Sequence, residues 1–286
     1  EPLIRYHQER QADVTVAVIH VPYAEASRFG IVEVDEQDNI ISFIEKPTQP
    51  PSTLANMGIY IFNLNVLNIA LWEDHLDQNS AHDFGKNILP AMVKNGHKIV
   101  AYPYDGYWKD VGTTLTYWQA HMDLLSNPPA FNLYNPRWVI HTRTEERPPA
   151  RIHSGATIED SLICDGCTIE PGAIIRKSVL SPGVTVRSGA VVEESVILTD
   201  TTISNDCRIV RSILEKRCHV GEESIIGAKQ PDGIKIALVG RNSIVPAGTN
   251  IHPGGTVGWD VIPSDYNSRE ILDGEFVQSR RLPFEI

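Results

Sequence analysis

The chain has 286 residues, 42% of them hydrophobic, and a formal net charge of −11. That length accommodates two domains with proper cores, and the acidic balance disfavours a nucleic-acid binder, which depends on clustered Lys and Arg. No apolar run approaches the ~20 residues needed to span a membrane, and no basic leader with an apolar stretch opens the sequence, so neither nucleic acid nor membrane is an expected partner.

Residues 2–10 are predicted to be the end of a helix. Asp13–Val21 (DVTVAVIHV) is an apolar, β-branched run, expected as a strand buried on both faces. Phe29–Val34 and Ile40–Ile44 alternate around the polar turn Asp35–Asn39, which predicts a hairpin. Glu45-Lys46-Pro47 follows. Pro47 has no N–H to give a ladder, so the strand ends there with Lys46 at its tip. A Pro-rich loop leads to a strand over Met57–Phe62. Helices are predicted over 64–72 and 85–95, the second with Gly96 as its C-cap. Ile99–Tyr102 is a strand, and the turn GYWKDVGT opens a helix near 114–126. Alternating strands and helices predict a mostly parallel sheet covered by helices.

Ligands of such sheets gather outside the strand ends. Lys46, Asp83 and Asp110 stand at such places. One Lys with carboxylates suits a phosphorylated substrate and a divalent ion. Each residue also has a plainer reading: a strand-end Lys is ordinarily solvated, and Asp83 serves equally well as an N-cap. Neither GxxxxGK[ST] nor GxGxxG occurs in the chain.

Residues 128–150 contain Pro128, Pro129, Pro136, Pro148 and Pro149 and are expected to form an irregular linker. Arg137, Arg143, Arg147 and Arg151 are candidate anion contacts there, or simply solvated arginines. From Ile152 to Ile226 the sequence keeps a beat of seventeen residues. Ser161, Ser178, Ser195 and Ser212 mark it, as do Ile163, Leu180, Ile197 and Leu214. Two further ladders, Ile169–Val186–Ile203–Val220 and Ile175–Val192–Ile209–Ile226, divide each repeat into steps of six, six and five. This is the signature of a parallel β-helix of hexapeptide repeats, with Gly155, Gly172, Gly189, Gly166 and Gly183 at its corners. Cys167, Cys207 and Cys218 fill small-residue slots of these ladders, whereas Cys164 lies off them. No zinc site or disulfide framework is expected, and the chain reads as reduced and cytoplasmic. Val239, Val245, Ile251 and Val257 resume the step of six after a break at 228–235. The expected organisation is an α/β domain over 1–127, a linker over 128–150, the β-helix over 151–258 and a tail without a motif over 259–286.

The segments ADVTVAV, FGIVEVDE, FIEKP, NMGIYIF, HDFGKNILP and YWKDVGT, followed by a hexapeptide β-helix, resemble the bacterial glucose-1-phosphate adenylyltransferases, a branch of the sugar nucleotidyltransferases. The resemblance runs from about Ala12 to Gly227. It implies an α/β nucleotidyltransferase domain followed by a left-handed β-helix. It also implies formation of ADP-glucose and pyrophosphate from ATP and glucose 1-phosphate with Mg²⁺, in a homotetramer controlled by an anionic metabolite effector. On the matching positions, Lys46 would hold the sugar phosphate, Glu45 would accept hydrogen bonds from sugar hydroxyls, and Gly30 would bring backbone against the sugar. Asn56 and Met57 would line the hexose, Asp83 and Phe84 would close the pocket, Trp108 would pack on it, and Asp110 would be a Mg²⁺ ligand. Lys46 and Asp110 would thus be the catalytic residues.

Many relatives carry Ser where this chain has Asn56. The family's Gly-rich nucleotide loop and upstream metal-binding Asp have no counterpart, so the chain is expected to be the remaining two thirds of an enzyme, with an α/β domain incomplete at its N-terminus. Two other readings stay open. One is a non-catalytic regulatory subunit of the same family. The other is a hexapeptide-repeat acyltransferase using His153, His219 or His252, which leaves FIEKP and WKDVGT unexplained.

Overall fold

The β-branched run near the start becomes the buried centre of a sheet. β1 (Val14–His20) is buried over its first five residues, following α1 (Pro2–Arg10). β2 (Gly30–Val34), β3 (Ile40–Glu45), β4 (Leu54–Phe62) and β5 (Ile99–Pro103) complete a five-stranded sheet in the order β3-β2-β4-β1-β5. The β2–β3 hairpin forms as the polar turn predicts. A mostly parallel sheet does not form among these strands. Only β1 and β5 pair in parallel, while β1–β4, β2–β3 and β2–β4 are antiparallel. Part of the cause is connection length: the link from β2 to β3 is too short for a parallel crossover, which takes a dozen or more residues, and β4 then enters antiparallel to both β2 and β1. Helices α2 (Leu64–Leu76) and α3 (Leu89–Lys94) lie between β4 and β5 in sequence. A wide helical turn, Phe84–Ile88, runs into α3. Ile88, Leu89 and Met92 pack with Val14, Val16, Val18, Val32 and Ile99 in the core.

The structure, a computed structural model, describes residues 1–141 and 145–281. It divides into two compact units, Glu1–Trp108 and Lys109–Ile286. In the second unit, Thr113 caps the helix at Thr114–Asp123 by accepting from the Thr116 N–H. The Trp118 indole of this helix packs on Val196, Ile213 and Ile236 and donates to the Glu194 carbonyl at 2.6 Å.

The seventeen-residue beat becomes a parallel β-helix of three sheets, two with seven strands and one with six. Ile169, Val186, Ile203 and Val220 are fully buried in one inward ladder, and Ile175, Val192, Ile209 and Ile226 in another. Fully burying such a side chain contributes about 1.5–3 kcal/mol. The serine ladder has a physical reason: Ser178 donates its N–H to Ser161 Oγ, Ser195 to Ser178 Oγ, and Ser212 to Ser195 Oγ, each at 3.1 Å. Corner residues take positive φ. Gly does so at Gly155 and Gly172, while Asp200, Asp206 and Arg217 do so in later coils.

Cys164-Asp165-Gly166-Cys167 is a Cys-x-x-Cys spacing, which the expectation of neither zinc site nor disulfide framework wrongly took to be absent. Both thiols are free, and Cys167 is buried with its Sγ 3.2 Å from the Ser181 carbonyl. Burial pushes both thiols above the usual range. The region after residue 258 is not a motif-free tail. Glu270–Ile271 and Phe276–Val277 pair with Asn250–Ile251 and Thr256–Val257 and extend the coils. A short helical turn at Pro263–Asp265 interrupts the spacing and hides the repeat. Of the linker arginines, Arg147 is held by Glu145 and Asp200, which raises its pKa further. Arg137 and Arg151 are exposed, and Arg143 lies outside the described residues.

Candidate functional site

In the first unit the predicted residues converge on the end of β3. Gly30 and Glu45 face each other across the β2–β3 ladder, and Phe43 stands two residues before Glu45 on the same face. A Cβ built on Gly30 would lie 2.7 Å from Glu45 Oε2 and 2.9 Å from the Phe43 ring. The space beside Gly30 is therefore filled by Glu45 and Phe43, not left open for a ligand as expected. The same Oε2 lies 2.6 Å from where a Cβ on Gly85 would be. The other oxygen, Oε1, is 3.7 Å from Lys46 Nζ.

Lys46 has φ 49°, and its N–H donates to the Phe29 carbonyl at 3.0 Å. The left-handed conformation costs a non-glycine residue about 1–2 kcal/mol. Such strain persists where the surroundings hold it and often marks a functional corner. Here Pro47 is buried behind Lys46, so the chain turns at the strand end and leaves the ammonium in solvent, 63% exposed against 20% for Glu45. The result is an exposed cation beside a half-buried carboxylate.

Asp83 begins the wide helical turn and accepts from the N–H groups of Gly85 and Lys86, both at 2.8 Å. The plainer reading of Asp83 as an N-cap is thus realised. Next to it, Phe84 stacks on Tyr60 with ring centroids 5.8 Å apart and an 18° interplanar angle. Asn56 donates Nδ2 to the Tyr60 hydroxyl at 2.7 Å and accepts the Gly58 N–H through Oδ1 at 2.9 Å. Burial pushes the Tyr60 phenol up; the Asn56 bond opposes this, and the nearby Glu45 and Asp83 carboxylates add to it. Met57 is half-buried between Asn56 and the exposed Gly58. Trp108 packs edge-on against Phe29, the residue before Gly30, at 5.6 Å.

Sequence reasoning passed over Tyr60 and Gly85. Tyr60 was legible as a strand aromatic alternating with Phe62, and Gly85 as part of HDFGK. Asp110 belongs to the second unit, where it is an exposed carboxylate close to Gly112. Among the described residues no three His, Cys, Asp or Glu gather into a metal-holding group. A single exposed carboxylate nevertheless suits Mg²⁺, which keeps several waters and joins one or two carboxylates to substrate phosphates. Another cleft, of about 820 Å³, lies at the last coils between Asp265 and Arg280. No described helix is long and apolar enough to cross a membrane.

The arrangement offers a cation for an anionic group, a fixed carboxylate for hydroxyl donors and an aromatic wall. The nucleotidyl transferase family model matches residues 1–127, and that of the GlmU-like C-terminal hexapeptide matches 148–245. A glucose-1-phosphate adenylyltransferase of Thermomicrobium roseum is 44% identical over 286 residues, covering 96% of this chain and 66% of the relative. The one of Thermotoga sp. strain RQ2 is 41% identical, covering 96% and 67%. That of Clostridium perfringens strain 13 is 48% identical over 59% of this chain and 43% of its own length. The chain thus spans about two thirds or less of the length of these curated relatives.

Proposed function

The chain belongs to the glucose-1-phosphate adenylyltransferase family, and we propose that it serves the transfer of an adenylyl group from ATP to glucose 1-phosphate, releasing pyrophosphate and forming ADP-glucose. The observation that carries this reading is the Glu45–Lys46 corner, an exposed ammonium beside a carboxylate fixed between two glycines. Lys46 holds the sugar phosphate as a point charge, and Glu45 accepts from hexose hydroxyls. Asn56, Met57 and Phe84 line the hexose, Trp108 and Phe29 wall its side, and Asp83 offers a second carboxylate.

A phosphate oxygen of the sugar phosphate attacks the α-phosphorus, the bond to the pyrophosphate oxygen breaks, and pyrophosphate leaves with that electron pair. The nucleophile is already an anion, so no strong general base is required. Positioning and charge neutralisation by Lys46 are what this corner supplies. Nucleotidyltransferases of this family use a divalent metal, which when bound neutralises charge on the phosphates. We assign it as Mg²⁺ with Asp110 as its carboxylate donor.

Exposed Trp259 and Phe276 at the last coils support a homo-oligomer, with the family resemblance setting its size at four. Sedimentation giving only monomer at micromolar concentration overturns that part. For the site itself, Lys46→Ala in the intact enzyme is expected to raise KM for glucose 1-phosphate about tenfold to a hundredfold, the worth of a charge-assisted contact, with far less effect on KM for ATP. An unchanged KM for the sugar phosphate removes Lys46 from the site.

A further inference from the structure

We infer that Gly85 is a positioning residue, whose missing side chain forms, with that of Gly30, the notch that fixes the Glu45 carboxylate for hydrogen bonding to the sugar. The inference rests on the sugar-phosphate reading of the corner. Glu45 Oε2 would lie 2.6 Å from a Cβ at Gly85 and 2.7 Å from one at Gly30, both closer than real Cβ contacts allow. One oxygen is thereby seated between two backbones from distant parts of the sequence. The other is left 3.7 Å from Lys46 Nζ, on the side where the cation reaches solvent.

The two glycines differ in what else they touch. A side chain at Gly30 would also strike the ring of Phe43, which is 6% exposed and part of the core. At Gly85 the nearest atoms are the carboxylate ends of Glu45 and Asp83. Gly85 has no positive φ and stands in a helical turn, a conformation Ala adopts more readily than Gly. Ala at 85 therefore leaves the fold intact and displaces one group, the end of the Glu45 side chain. A glycine inside the first turn of a helix, a poor choice for helix stability, thus has a reason in the site it serves.

The test is calorimetric titration of glucose 1-phosphate into the parent chain and into Lys46→Ala, Glu45→Ala, Gly85→Ala and Glu45→Ala/Gly85→Ala, with thermal unfolding of each. Gly85→Ala is expected to weaken binding about tenfold or more, approaching Glu45→Ala, since both remove a charged acceptor from the sugar. Its Tm is expected within about 4 °C of the parent or above it. Because Gly85 acts through Glu45, the double variant should bind no more weakly than Glu45→Ala alone. Parent-like binding by Gly85→Ala, additive losses in the double variant, or a larger fall in Tm each overturn the inference. Equal binding by the parent and Lys46→Ala instead sinks the sugar-phosphate reading, and the inference with it.

Discussion

Asp83 has two separable duties, and a pair of substitutions tells them apart. Its Oδ1 accepts two N–H groups at 2.8 Å at the start of a helical turn. Asp83→Ala deletes both bonds. Losing an N-cap costs about 0.5–2 kcal/mol, and losing the negative charge at a helix start costs about 0.3–1 kcal/mol more. The residue is exposed, so water replaces part of each bond and a total near 1 kcal/mol is expected. In a unit as small as Glu1–Trp108, that lowers Tm by about 4–8 °C. Asp83→Asn keeps the acceptor and should leave Tm within about 2 °C of the parent, because Asn caps as well as Asp. Yet it removes the charge offered to a sugar hydroxyl. Thermal unfolding followed by circular dichroism, paired with titration of glucose 1-phosphate, reads both effects. An unchanged Tm for Asp83→Ala refutes the capping argument. Parent-like affinity in Asp83→Asn shows that the carboxylate is a cap and nothing more.

Three further outcomes are expected. Ile203→Ala, at a fully buried rung of the β-helix, should cost about 2–5 kcal/mol in urea unfolding; a loss under about 1 kcal/mol would mean the coils are loosely packed. Burial pushes the Glu194 carboxyl up, but hydrogen bonds from Arg211 and Lys229 outweigh it and hold its pKa below the ordinary 4.5. Its contribution is therefore present above that pH and lost as pH falls through the lowered value, so Glu194→Gln should flatten the acid limb of the stability curve, and an unaltered limb would contradict this. In the intact enzyme, Asp110→Asn should lower turnover and raise the Mg²⁺ concentration for half-maximal pyrophosphate release, since an amide is a poorer ligand for a hard cation; near-normal rates at limiting Mg²⁺ count against it.

The β-helix was legible because its period is enforced by stacking: each inward aliphatic and each ladder serine recurs seventeen residues on. Where a segment enters the coil, as at Pro263–Asp265, the spacing breaks and the last strands disappear from the pattern. Strand positions in the first unit followed from β-branched runs, but their pairing did not. Apolar content reports burial on both faces, not direction, and only the short link from β2 to β3 carried that information. The site was read through Lys46, Glu45, Asp83 and Trp108 because each sits in a short motif at an element's end. The carboxylate notch was not legible, since Gly30 and Gly85 meet at Glu45 only after the sheet and the helical turn assemble.

The most direct test of the Glu45–Lys46 corner is a crystal structure of the chain soaked with glucose 1-phosphate. The account predicts phosphate oxygens within hydrogen-bond distance of Lys46 Nζ, about 2.7–3.2 Å, and a hexose hydroxyl on the Glu45 carboxylate with Oε2 still seated between Gly30 and Gly85. Sugar phosphate bound elsewhere, with Lys46 and Glu45 untouched, would contradict it.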